Sequence, residues 1–130
     1  MSLFKPISEK SSDKKIKKIF EDIKRKRKIS KIPNFWRALA NDPKTLERTW
    51  RSLQQVMGKG SLDPLIKEMI YISVSMTNSC EYCIRSHTAA AKKKGMTEEM
   101  LKELIAVVAM ANETNRLVES YQVEIDKNLK

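Results

Sequence analysis

The chain has 130 residues, enough for one domain with a single core, and its few Gly (3) and Pro (4) beside abundant Leu, Ile, Met, Ala, Lys and Glu favour helices over sheets. Its net charge of +10 is local, because 12 of the 26 Lys and Arg fall in residues 1–31 against 4 acidic residues, giving +8 there and +2 over residues 32–130. No stretch approaches about 18 apolar residues and the N-terminus lacks an apolar core with a cleavage signal, so a cytoplasmic protein without membrane insertion is expected.

The first predicted helix starts near Ser12 or Asp13 and runs to about Lys28, with Ile16, Ile19, Phe20 and Ile23 at helical spacing and Lys and Arg on the opposite face. Pro33 interrupts, and Phe35, Trp36 and Leu39 suggest a short helix that ends at Asn41-Asp42-Pro43. A third helix takes Pro43 in its first turn, carries Leu46, Trp50, Leu53 and Met57 on one stripe, and stops at Gly58 and Gly60.

Asp63-Pro64 reads as an N-cap followed by a first-turn proline. Leu65 to Thr77 is apolar on most faces, through Met69, Ile70, Ile72, Val74 and Met76, as a central helix should be, and Glu68 stands among these apolar neighbours. A fifth helix, capped near Asn78 or Ser79, holds both cysteines and the only histidine, then Ala89-Ala90-Ala91, and stops at Gly95. Thr97 caps a last helix with Glu98 and Glu99 in its positive first turn and with Leu101, Leu104, Ile105 and Val108 as its buried stripe. Asn112 to Asn115 is polar enough to kink or break this helix before Leu117, Val118, Tyr121 and Ile125 resume the period.

The chemistry concentrates in Asn78 to His87. On a helix Cys83 and His87 are i, i+4 neighbours, Cys80 and Cys83 are i, i+3 neighbours, and an imidazole beside a thiol can take its proton to leave the reactive thiolate. Two effects compete. The helix N-terminus favours a thiolate at Cys80, whereas His87 favours one at Cys83, and spacing does not choose between them. In a reducing cytosol such a pair cycles between dithiol and disulfide or holds a metal. Zinc would draw on Cys80, Cys83, His87 and Glu68, yet structural zinc sites take ligands from two separated pairs, and a second CxxC or an HxxxH is missing; no metal is expected. Glu68 lies twelve residues before Cys80, so a helical hairpin brings it near Cys83 and His87, where a carboxylate orients the imidazole; its ordinary alternative is an ion pair with Lys67 or another basic neighbour. Tyr82, inside the CxxC, either hydrogen-bonds near the thiols or packs as an aromatic.

Glu68, the run Ser79-Cys80-Glu81-Tyr82-Cys83-Ile84-Arg85-Ser86-His87, the alanines 89–91 and Gly95 together resemble the core of the AhpD-like alkylhydroperoxidases in the carboxymuconolactone decarboxylase superfamily. The resemblance spans roughly residues 43–120. It implies an all-α fold assembled as a homotrimer or homohexamer; with the predicted helices this gives a single-domain bundle of about six helices, residues 32–130 being the AhpD-like domain and residues 1–31, outside the diagnostic part, a basic helical arm. It further implies a thiol-dependent hydroperoxide reductase in which Cys83 is the peroxidatic thiol, Cys80 resolves its sulfenic acid to a disulfide, His87 and Glu68 form a proton relay, and Tyr82 stands beside them. The electron donor would be a dithiol or a lipoyl-type partner. Cβ atoms at i, i+3 on a helix are ~5–6 Å apart against the ~3.5–4.5 Å of a disulfide, so Cys80 is expected at a frayed helix end. The decarboxylase branch works without this dithiol, so the intact CxxCxxxH argues against a muconolactone substrate.

Two other readings stand beside this one. A general thiol–disulfide oxidoreductase of thioredoxin type needs a βαβ setting that the helical surroundings lack. A redox-switched binding protein would use Lys14-Lys15, Lys17-Lys18 and Lys24 to Lys28 on nucleic acid phosphates or an acidic membrane. Without aromatic–basic interleaving the charge reads better as a solvated helix face, so a nucleic acid partner is not expected. No Gly-rich phosphate loop or dinucleotide signature accompanies the site, and no organic cofactor is implied.

Overall fold

The computed structural model describes residues 2–130, which form six α-helices and one 3-10 turn, with no strand among the described residues. They divide into two compact units, one ending at Gly58 and one spanning Lys59–Lys130.

The first unit holds α1 (Lys14–Arg27), α2 (Asn34–Leu39) and α3 (Pro43–Met57). Asp13 starts α1 by accepting the Ile16 N–H at 2.9 Å, and Asp42 starts α3 by accepting from the Lys44 N–H at 3.1 Å and the Thr45 hydroxyl at 2.6 Å. The apolar stripe of α1, Ile16, Ile19, Phe20 and Ile23, is buried with Ile32, Trp36, Ala40, Leu46 and Trp50. Trp36 and Trp50 meet edge to face with centroids 5.2 Å apart, and the Arg27 guanidinium lies 5.4 and 5.5 Å from their rings. Trp50 Nε1 donates to Asp22 Oδ2 at 2.8 Å, so the polar edge of this aromatic is satisfied where it is buried. On the basic face Lys15 pairs with Glu47, Lys24 with Glu9, and Arg25 with Asp22.

The second unit holds α4 (Pro64–Thr77), α5 (Glu81–Lys93), α6 (Glu98–Ser120) and a 3-10 turn at Lys127–Leu129. Asp63 and Thr97 cap α4 and α6 through the Leu65 and Met100 N–H groups. α4 packs on both α5 and α6, and Ile72, Ala91, Met96 and Leu104 form the buried centre with Leu101 and Val108 around them. Ala91 is fully buried: its small side chain lets α5 approach closely.

Three details differ from the sequence-based expectations. α5 begins at Glu81 with Cys80 as its N-cap, because Asn78 and Ser79 close α4 instead, through Asn78 N–H to Val74 O and Cys80 N–H to Ser75 O, with Ser79 in the left-handed region at φ 55°. α6 runs unbroken through Asn112, whose side-chain amide donates to Val108 O of its own helix at 2.8 Å and to Thr77 Oγ1 of α4 at 3.1 Å. Ile105 is exposed, as are Ile70 and Val74 of α4, so the apolar face of this unit is wider than its core.

Candidate active site

The site forms between α4 and α5. From α4 it takes Glu68, Tyr71 and Ser75, whose spacing of three and four residues sets them on one face. From α5 it takes Cys80 at the N-cap, Cys83 in the first turn, His87 one turn further, and Lys94 at the C-cap, seven residues after His87 and on the same face.

Glu68 is the centre of this arrangement. Only 6% of its surface is exposed, and its two oxygens are separately occupied: His87 Nδ1 lies 2.7 Å from Oε2, and Lys94 Nζ donates to Oε1 at 3.1 Å. Burial pushes the carboxyl up, and the hydrogen bonds from His87 and Lys94, with their charges, more than offset it, leaving its pKa below the usual glutamate range. Glu68 is therefore an anion at neutral pH. A carboxylate can only accept here, so the proton on the shared bond belongs to His87 Nδ1, and Nε2 is the ring atom open to proton exchange.

The Tyr71 ring stacks on the imidazole, centroids 3.6 Å apart and planes at 21°. Burial raises the Tyr71 pKa, and the Cys83, Cys80 and Glu68 charges act in the same direction. The tyrosine thus stays a neutral phenol whose environment includes both thiols. Ser75 is buried, turns its hydroxyl to Tyr71 O at 2.8 Å, and its own carbonyl accepts the Cys80 N–H at 2.9 Å.

Both cysteines are free thiols and half-buried. The hydrogen bond with Cys80 is the largest influence raising the Cys83 pKa, ahead of burial and the Cys80 charge. The neighbouring Cys80 thus keeps the proton on Cys83, and Cys80 itself stands at the N-cap of a helix that has no side-chain cap. Leaving the helix at Cys80, with φ −88° and ψ 87°, frees this residue from the i, i+3 spacing of a regular helix. The two thiols are near enough to hydrogen-bond.

Of the residues singled out in the sequence, Glu68 and His87 are in direct contact and Cys80 and Cys83 are paired, whereas Tyr82 is largely exposed. Glu68 takes His87 and Lys94 as partners. Tyr71 and Lys94 were not anticipated. Tyr71 could have been found at i+3 from Glu68, whereas Lys94 is hidden in Lys92-Lys93-Lys94, where only its register relative to His87 sets it apart. Among the described residues no three His, Cys, Asp or Glu side chains gather as a metal site would require. Nor is any helix long and apolar enough to cross a membrane.

Residues 43–123 match the carboxymuconolactone decarboxylase family. The chain is 31% identical over 91 residues to the alkyl hydroperoxide reductase AhpD of Solibacter usitatus, covering 70% of this chain and 50% of that protein. It is 35% identical over 54 residues to uncharacterized protein 4 in the cox locus of Paracoccus denitrificans, covering 42% and 49%. The chain thus spans about half the length of these curated relatives. Among solved structures, the alkylhydroperoxidase AhpD core from Rhodospirillum rubrum superposes with a TM-score of 0.94 at 44% identity, over 99% of this chain and 97% of that one.

Proposed function

The chain belongs to the carboxymuconolactone decarboxylase family, on its AhpD-like branch, and from that membership we propose that it is a thiol-dependent hydroperoxide reductase working through Cys80, Cys83, His87 and Glu68. The observation that carries the proposal is the Glu68–His87 hydrogen bond at 2.7 Å on the same α4–α5 face as a hydrogen-bonded pair of free thiols. An imidazole oriented by a buried carboxylate has its Nε2 free to move a proton, and two thiols in contact can give up two electrons by forming a disulfide.

The chemistry proceeds in three balanced steps. The Cys83 thiolate attacks the terminal oxygen of a hydroperoxide, the O–O bond breaks, and the alkoxide leaves as an alcohol after taking one proton from His87, giving a Cys83 sulfenic acid. Cys80 then attacks the Cys83 sulfur, expelling water and forming the disulfide. A dithiol donor, free or lipoyl-like, returns both cysteines to thiols by exchange and is itself oxidised. Because Cys80 raises the Cys83 pKa, the proton on Cys83 must leave before attack, and turnover should climb as pH rises above neutrality. The assembly belongs to the same proposal: the exposed apolar residues of α4 and α6 suit a homotrimer or homohexamer.

The deciding experiment follows hydroperoxide consumption with a dithiol reductant in wild type, Cys83→Ser and His87→Ala, with thiols tracked by mass. Turnover in wild type, loss in Cys83→Ser and a fall on the order of 10²-fold in His87→Ala are expected. Reversible disulfide formation without peroxide turnover would instead assign the dithiol to thiol–disulfide exchange.

A further inference from the structure

The reading above uses Glu68 and His87 and leaves Lys94 without a role. The other lysine and arginine ion pairs among the described residues join carboxylates whose side chains are 24% to 78% exposed, but Lys94 reaches in from the surface to one that is only 8% exposed. Its backbone is fixed where α5 ends. Lys94 N–H bonds to Ala90 O and Ala91 O, Met96 N–H returns to Ala91 O at 3.0 Å, and Gly95 turns the chain at φ 103° between the buried residues Ala91 and Met96. The ammonium group is thereby directed back along the face that carries His87.

We propose that Lys94 is a positioning residue of the thiol site: by occupying Oε1 of Glu68 it commits Oε2 to His87 Nδ1, which holds the imidazole with Nε2 as its proton-exchanging atom. This inference rests on the dithiol reading of the same site. Without Lys94 the carboxylate would keep one hydrogen-bonded partner and a free oxygen, and it could rotate about its terminal bond. A Glu68 that turns away releases Nδ1–H, and a neutral ring is then free to carry its proton on Nε2 instead, which removes the lone pair that accepts from a thiol. Lys94 opposes this twice, as a hydrogen-bond donor to one oxygen and as a cation whose attraction holds the carboxylate in place. The charged and titratable groups around this pair are Glu68 and Tyr71 on α4 and Cys80, Cys83 and Lys94 on α5, while α6 contributes apolar Leu101, Leu104 and Val108 to the packing.

The test compares wild type, Lys94→Met, Lys94→Arg and Lys93→Met, the last altering an exposed neighbour on the same helix end. The chain has one histidine, so a single set of ring N–H signals reports the Nδ1–H bond to Glu68 by NMR, independently of turnover. In Lys94→Met that signal should weaken in favour of an Nε2–H signal, and hydroperoxide turnover should fall several-fold with it. Lys94→Arg should restore both, and Lys93→Met should match wild type. A lowered melting temperature in Lys94→Met with an unmoved ring signal and unchanged turnover would reduce Lys94 to a structural ion pair and overturn the proposal. If wild type consumes no hydroperoxide while the ring signal still responds as described, the peroxidase reading fails and the positioning role stands.

Discussion

The thiol pair has an internal asymmetry that mutation can expose. Since the hydrogen bond with Cys80 is the main influence raising the Cys83 pKa, Cys80→Ala should shift the pH dependence of Cys83 alkylation to lower pH, even as it prevents disulfide formation. An unshifted profile, read by mass after timed alkylation, would remove Cys80 as the group that holds the proton on Cys83. Glu68 carries a second, thermodynamic signature. Its folded pKa is lowered, so its stabilising contribution is present above the unfolded carboxylate range and is lost as pH falls through the folded value; acid melts should show stability declining below about pH 4. Glu68→Gln should flatten that decline and also reduce turnover on the order of 10²-fold, because an amide cannot orient His87 in the same way. Two of the side chains in contact here were readable in the sequence: Glu68 is a lone carboxylate in an apolar helix, and His87 is the only imidazole, at i+4 from a cysteine. Tyr71 was not, since a tyrosine in an apolar helix reads as packing until an imidazole is found stacked on it.

Helix boundaries decide where these groups sit, and the α4–α5 corner depends on one residue. Ser79 adopts φ 55° so that the Cys80 N–H can close α4 on Ser75 O while Cys80 stands at the head of α5. A left-handed residue with a side chain costs about 1–2 kcal/mol, so Ser79→Gly should raise the melting temperature and Ser79→Val should lower it, as thermal unfolding can measure. Both variants retain the two cysteines, and a change in disulfide reducibility alongside stability would tie the corner to the redox step. This corner also explains the one-to-two-residue displacement of the α5 cap from its expected place. Asn and Ser both signal a helix start, but backbone hydrogen bonds from α4 engaged them first as a helix end. The break expected at Asn112 fails for a related reason. Its amide finds acceptors on Val108 and Thr77, so the polar segment remains helical and links α6 to the end of α4. Other boundaries, set by Asp13, Asp42, Asp63, Thr97 and Gly95, were legible because each combines a capping side chain or a glycine with the apolar period beside it.

On the scale of the molecule, the second unit exposes large apolar side chains along both α4 and α6. Ile66, Ile70 and Val74 of α4 and Ile105, Val107, Met110, Leu117 and Val118 of α6 lie open, although α4 and α6 already share a buried core through Ile72 and Leu104. Ile66, Ile70 and Val74 recur every four residues on α4, and Val107, Met110, Leu117 and Val118 share one face of α6, so each set suits another helical surface, for which the proposed assembly offers a copy of the same chain. Light scattering coupled to size exclusion should therefore give a mass that is a multiple of the monomer's, with three or six copies expected. Val107→Asp with Met110→Asp tests the surface directly. Exposed sites tolerate such changes within roughly 0.5 kcal/mol when nothing covers them, so a monomeric chain would melt almost unchanged, whereas an assembled one would dissociate and lose the stability that association lends. If the doubly substituted chain retains both its mass and its melting temperature, the α6 stripe is not the contact between copies. If it becomes monomeric with the His87 ring signal intact but turnover reduced, the peroxide site needs a neighbouring copy; if turnover persists in the monomer, the α4–α5 face is sufficient for the chemistry.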